Sequence, residues 1–289
     1  MTYSFHKPAF EDIKWMKQKL KESQPQCCEF SVGNLLGWSK FYDGQVGDIE
    51  NCLTSRLYKD NSFCFPKGEN SEAAVKAIVN EFNFPRFSFL EKHETEILER
   101  LFPGKYEFIE ERDSFDYVYS REKLATLSGK KYHGKRNHIT YFEKTFNWSF
   151  EELNRGNIDE CIAMNEKWYT LNVEKDREGI EDEREVIRLN FAHFEEIGGV
   201  GGVLRIDGEV VAFTFGERLN ENTFVTHFEK AYSDIRGAYP MINQLFAQNL
   251  LCDYEFINRE DDVGSEGLRS AKLSYHPEFL VEKYSAVAK

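Results

Sequence analysis

Phe10, Ile13, Trp15, Met16 and Leu20 recur at near-helical spacing and predict a first helix over Pro8–Glu22. The period then shortens. Glu29–Val32, Trp38–Tyr42, Leu53–Tyr58 and Phe63–Phe65 are short apolar or alternating runs set between turn signals such as Asp43-Gly44 and Asp60-Asn61, which predicts an antiparallel meander. Helical spacing returns over Ser71–Phe82, a strand is predicted at Phe87–Leu90, and a helix over His93–Leu101 stops at Pro103-Gly104. Strands at Tyr106–Glu110 and Phe115–Tyr119 follow, then a short helix over Arg121–Leu127 for which Ser120 is the N-cap.

After Trp148 the order begins again. Helices are predicted at Ile158–Leu171 and Glu181–Glu196, and strands at Gly202–Ile206, Glu209–Glu217 and Thr223–Lys230, the first two joined by the hairpin pair Asp207-Gly208. A helix over Tyr239–Leu251, a strand at Tyr254–Arg259, a helix over Val263–Leu273 and a strand at Tyr284–Val287 end the chain. Both halves thus run helix, meander, helix, strand. The expected class is α+β, with two lobes at 1–150 and 151–289, each a mixed, mostly antiparallel sheet flanked by helices.

Composition adds material for two cores: 289 residues, 41% hydrophobic, with 25 Phe and 14 Tyr supplying large flat side chains. A formal net charge of -13 excludes a surface that coats nucleic acid or anionic membrane throughout, so any polyanion site is local. There is no apolar run of the roughly 18 residues a membrane helix needs, and the opening MTYSFHKPAFEDIKW carries acids where a signal peptide is apolar, so a cytoplasmic location is expected. Cys27, Cys28, Cys52, Cys64, Cys161 and Cys252 form no CxxC pair, so no metal is expected and the adjacent Cys27-Cys28 pair is assigned to packing. The charged stretch Glu174–Glu185 is assigned to a solvated loop and helix face.

Against that acidic background, Gly129–His138 (GKKYHGKRNH) holds four firm positive charges and no acid. Lys130, Lys131, His133, Lys135, Arg136 and Asn137 are candidate phosphate contacts, and Tyr132 a candidate stacking ring; a solvated basic turn paired with the protein's own acids is the alternative. A second segment, Asn258–Pro277, leaves a predicted strand for a helix on which Arg269, Lys272 and His276 fall on one side. Arg259 and Tyr275 flank it. Glu260, Asp261 and Asp262 are candidate bases or first-turn acids of that helix. A third, His227–Pro240, alternates His227 and Glu229 onto one strand face, Glu229 being a candidate base, and its helix start is a candidate phosphate holder.

The phrases DYVYSREKLATLSGKKYHGKRNHI, HFEKA and INREDDVGSEGLRSAKLSYHP resemble soluble bacterial proteins related to the C-terminal domain of phosphatidylglycerol lysyltransferase, across nearly the whole chain. The resemblance implies two tandem GNAT-like lobes and a cleft where an acyl or aminoacyl donor meets an amine or hydroxyl on a small-molecule or peptide acceptor. Aminoacyl-tRNA and acyl-CoA are the donors it implies; a tRNA- or nucleotide-binding protein without chemistry is the third possibility. An acyl-CoA loop usually reads Arg/Gln-x-x-Gly-x-Gly/Ala, whereas alignment on Gly237 places Asp234 and Tyr239 at the flanking positions, which moves weight toward aminoacyl-tRNA. In that expectation Lys130, Lys131, Lys135 and Arg136 hold phosphates, Arg269 and Lys272 extend the positive track, Glu229 or Asp261 acts as base, and backbone N–H groups near Phe213–Gly216 stabilise an oxyanion.

Overall fold

The computed structural model describes residues 3–172 and 177–289, so residues 174–176 of the acidic stretch lie outside the described residues. In chain order the elements are α1 (Ile13–Ser23), α2 (Val32–Gly37), α3 (Ser39–Tyr42), β1 (Gly44–Ile49), β2 (Cys52–Leu57), β3 (Ser62–Cys64), α4 (Ser71–Phe82), β4 (Arg86–Glu91), α5 (Lys92–Leu101), β5 (Tyr106–Glu110), β6 (Asp116–Ser120) and α6 (Arg121–Thr126). There follow α7 (His133–Thr145), β7 (Trp148–Glu152), α8 (Ile158–Asn172), α9 (Arg177–Ala192), α10 (Phe194–Ile197), β8 (Val200–Ile206), β9 (Glu209–Arg218) and β10 (Thr223–Ala231). The chain ends with α11 (Ala238–Asn249), β11 (Phe256–Asn258), α12 (Glu266–Leu273), β12 (Phe279–Val281) and β13 (Lys283–Ala288).

These strands form two mixed sheets, ordered β1-β2-β3-β4-β13-β5 and β12-β6-β11-β10-β9-β8-β7, so the α+β class stands. In each sheet an antiparallel meander ends on a strand that pairs in parallel with the one following a helix: β3 with β4 across α4, and β10 with β11 across α11. That is the repeated unit expected of tandem GNAT-like lobes. The sheets exchange chain ends, however. β13 returns from the C-terminus to the first sheet, whereas β6 and β7, both from the first 152 residues, belong to the second. Sheet membership therefore changes between Glu110 and Asp116 and again between Val281 and Lys283.

Glu29–Val32 and Trp38–Tyr42 are helical turns rather than the expected strands. Val32, Gly33, Asn34, Leu36 and Gly37 are all buried, and a run buried on every side carries no period that separates helix from strand. Gly33 and Gly37 sit one turn apart and let α9 approach; a Cβ on Gly37 would lie 2.4 Å from Val186 Cγ1. The hairpin at Asp207-Gly208 formed as expected, with both residues at positive φ (51° and 89°).

Among the described residues three large clusters fill the interior, with a small fourth of Cys28, Leu219 and Val225. Ile78, Phe63 and Tyr106 belong to that of the first sheet; Phe142, Met241 and Phe246 lie under α6, α7 and α11; and Phe191, Phe213 and Phe215 join α1, α2, α8 and α9 to the other face of the second sheet. Among the described residues no helix is long and apolar enough to cross a membrane.

Candidate active site

β10 and β11 are paired only over Thr223↔Phe256, Phe224↔Ile257 and Val225↔Asn258. Past that point β10 continues to Ala231, whereas Arg259 and Glu260 stay bonded to Tyr117 of β6 and no longer to β10, so a gap opens between the carboxyl ends of two parallel strands, the position where open sheets bind ligands. Glu229 lies on the part of β10 that is paired with β9 but no longer with β11, and Arg259 is the first residue past β11. They meet across the gap, Arg259 Nη2 donating to Glu229 Oε1 at 2.9 Å, while Asn243 of α11 donates to Glu229 Oε2 at 2.9 Å. Tyr275 and Tyr119 place their rings 4.9 and 5.6 Å from the Arg259 guanidinium. Asn243 Oδ1 and Arg259 Nη1 are buried there with no hydrogen-bond partner among the described residues.

Lys135 connects this pair to the surface. Its ammonium lies 3.9 Å from the centre of the Tyr275 ring and donates to Ser274 Oγ at 2.9 Å. Burial, with the Arg259 charge adding, lowers its pKa. The basic segment is not a turn: Lys130–Tyr132 is one turn of 3-10 helix and His133 opens α7. Lys130, Lys131, His133 and Asn137 stand exposed on it. Arg136 is turned inward onto the carbonyl oxygens of Leu127 and Gly129, and Tyr132 is 1% exposed with its hydroxyl on the Tyr275 carbonyl, so neither is placed for an incoming phosphate or base.

The loop after β11 is held from below. Lys272 Nζ donates to the backbone carbonyls of Arg259 (2.5 Å), Glu260 (3.1 Å) and Asp261. Arg269 grips Asp262 through Nε (2.9 Å) and Nη2 (2.8 Å) and also reaches Asp113 at 2.7 Å. These two cations are loop clamps rather than an extension of a phosphate track. The carboxylate of Asp262 is buried, but its bonds from Arg269 and from the Tyr117 hydroxyl at 2.5 Å outweigh burial and hold its pKa far below the carboxylate range. Helix α12 starts only at Glu266, capped by Ser265, so the three acids are not its first turn.

Asp261 differs from its neighbours. Among the described residues no group hydrogen-bonds its carboxylate, which lies toward Asp116 and Lys283. Burial, opposed by Lys283 and reinforced by Asp116 and Glu260, pushes it from 3.8 up to about 6. Beneath it Lys283, fully buried, donates to Glu29 Oε1 (2.6 Å) and Asp116 Oδ1 (2.7 Å), with Cys28 Sγ at 3.5 Å. Cys28, Glu29 and Asp116 converge as metal ligands do, but the Lys283 ammonium already supplies the cation. The Glu29 carboxyl is raised to about 7, chiefly by burial and against the pull of Lys283.

His227 and Glu229 do not share a face. The β9–β10 register slips between Thr226 and Phe228, and this bulge sends His227 to the side opposite Glu229. There it is clamped between Glu260 (Nδ1, 2.8 Å) and Glu217 (Nε2, 3.1 Å); Gly33 N–H also donates to Glu217, and Asn34 Nδ2 to Glu260. Burial works to lower the imidazole pKa, but the two carboxylate hydrogen bonds prevail and raise it to about 9.

Two further expectations are corrected by the geometry. Phe213–Gly216 lies in the middle of the sheet, paired with β10 on one side and β8 on the other, so its N–H groups are committed to ladders. A Cβ on Gly237 would lie 2.4 Å from the His138 carbonyl oxygen, and Ala238 N–H bonds Ile235 O. α7 thus sits where a pyrophosphate would approach that loop. Asn243 and Lys283 were not singled out in the sequence, where neither stands in a motif.

The sequence profile described as "Phosphatidylglycerol lysyltransferase, C-terminal" matches residues 21–287. The chain belongs to the phosphatidylglycerol lysyltransferase C-terminal family. A conserved protein of unknown function from Bacteroides thetaiotaomicron VPI-5482 is 34% identical, with 100% of each chain covered and a TM-score of 0.93. L-PGS from Bacillus licheniformis is similar in fold alone, at 16% identity and TM-score 0.66, with 96% of this chain and 91% of that one covered. An uncharacterized protein of Mycoplasmoides gallisepticum is 28% identical over 180 residues, which span 59% of this chain and only 55% of that relative's length. This member of the family thus has a lysyl- or aminoacyl-transferase type of fold.

Proposed function

We propose that this chain moves an aminoacyl group from aminoacyl-tRNA to an amine or hydroxyl of a small-molecule or peptide acceptor. The observation that carries this reading is the path from exposed Lys130 and Lys131 through half-buried Lys135 to Arg259, whose Nη1 and neighbouring Asn243 Oδ1 have no hydrogen-bond partner among the described residues in the gap between β10 and β11. Lys130, Lys131, His133 and Asn137 would engage phosphates of the donor, while Arg259 offers an N–H to its ester carbonyl. Of the two carboxylates expected as bases, Glu229 spends both oxygens on Arg259 and Asn243 and so positions the guanidinium. Asp261, whose carboxylate has no hydrogen bond among the described residues and is raised to about 6, suits the base. It would take the proton of the acceptor as the new bond forms at the carbonyl carbon; the ester C–O bond then breaks and Asp261 returns that proton to the departing ribose oxygen, which leaves as the hydroxyl. Acyl-CoA is disfavoured by the α7 contact at Gly237 and by Asp234 in the same loop.

Binding of charged tRNA across a salt series tests the donor assignment. Affinity should fall with salt, by a slope of about 0.7–0.9 per phosphate contacted, and the double variant Lys130→Gln/Lys131→Gln should lower that slope by about 1.4–1.8. Salt-insensitive binding, or no binding, sinks the donor assignment.

A further inference from the structure

At the far end of the first sheet, where β3 and β4 begin, a cavity of about 480 Å³ lies between two arginines, Arg56 and Arg86. Those arginines flank β3: Arg56 pairs with Phe63 and Arg86 with Ser62. Neither guanidinium is well satisfied. Arg56 has no carboxylate within ion-pairing distance among the described residues; its bonds are to the Tyr58 hydroxyl at 3.3 Å and Asn61 Oδ1 at 3.4 Å, both long. Arg86 reaches Glu111 only at 3.5 Å, with Ser285 Oγ at 2.9 Å. The Nε–H of each is buried and has no acceptor among the described residues.

Unpartnered donors on two cations are costly in a folded chain, and doubly so in one whose net charge is -13, where acids are plentiful. The surroundings hold the guanidinium rather than neutralise it: Arg56 is stacked 4.2 Å from the Tyr58 ring centre, 4.9 Å from that of Phe82 and 5.2 Å from that of Phe63. The single acid of the lining, Asp60, accepts from Ser62 Oγ at 2.7 Å instead. The wall between α4 and β4 is strained, since Phe84, a bulky residue, sits at φ 56° directly after Asn83 at φ 54°. Strain of that kind collects at ligand clamps.

We propose that this cavity binds a small phosphate monoester, its phosphate between Arg56 and Arg86 and its organic body against Phe82 and Phe84. A dianionic phosphate offers the acceptor-rich, planar-matched partner that two guanidiniums lack. The volume falls within the roughly 300–1,000 Å³ of small-molecule sites and exceeds what a bare ion fills. This site lies on the other sheet from the Glu229–Arg259 gap and does not depend on the transfer reaction.

Titration calorimetry of the whole chain with phenyl phosphate at pH 7.5, at ionic strength matched with chloride, tests it. Saturable binding is expected, weakened about tenfold or more by Arg56→Gln and by Arg86→Gln but not by Arg100→Gln, an exposed arginine of α5 paired with Glu72. Should Arg56→Gln not fold, Arg86→Gln decides alone. No saturable heat, or equal affinity in the Arg86→Gln and Arg100→Gln variants, overturns the proposal.

Discussion

Replacing Asp261 with Asn should make the protein more stable and less active at once. A carboxyl whose pKa is raised on folding binds its proton more tightly in the folded than in the unfolded state, so stability falls as pH rises from about 4 to about 6 and stays lower above that window. The rise from 3.8 to about 6, at about 1.36 kcal/mol per unit, sets a ceiling near 3 kcal/mol. The carboxylate is partly open to solvent, so about 1–2 kcal/mol is the realistic gain for the isosteric amide. Urea unfolding followed by tryptophan fluorescence should show Asp261→Asn ahead of the parent by that amount at pH 8 and level with it near pH 4. Donor consumption should drop by about a hundredfold or more, the usual worth of a general base. A variant less stable than the parent at pH 8, or one whose advantage is the same at both pH values, refutes the reasoning.

Two other substitutions probe the supports of the site. Lys283→Met leaves Asp116 and Glu29 buried without their cation and should cost about 3–5 kcal/mol in urea unfolding. His227 is raised from 6.5 to about 9, so its stabilisation is complete below about 6.5 and is lost as pH rises through about 9. The parent should lose on the order of 2 kcal/mol between pH 6.5 and 9.5, and His227→Gln should flatten that part of the profile.

Much of the fold was legible because each periodic segment acts locally. The apolar spacing of Ala74, Val75, Ile78 and Val79 defines α4, and Asp207-Gly208 takes up the two positive φ angles its hairpin needs. What failed depended on distant partners. Gly33 and Gly37 are helical because α9 packs on them, and nothing local in Lys283–Ala288 reveals that this strand inserts between β4 and β5. The site followed the same division. Arg259, Glu229 and Asp261 stood out by charge near a strand end, but one bulged residue decides which face Glu229 takes. Arg269 and Lys272 looked like ligands because their partners, Asp262 and three backbone carbonyls, become visible only once the loop is folded.

The most direct test of the central claim is a donor-consumption assay. The purified chain is incubated separately with a pool of charged tRNAs and with acyl-CoAs, alongside an extract of small amines, alcohols and peptides, and loss of the ester or thioester is followed with time. Acceptor-dependent loss of aminoacyl ester is expected, slowed about a hundredfold or more in Asp261→Asn while tRNA binding persists, with no loss of thioester. Turnover of acyl-CoA with charged tRNA left intact would contradict it.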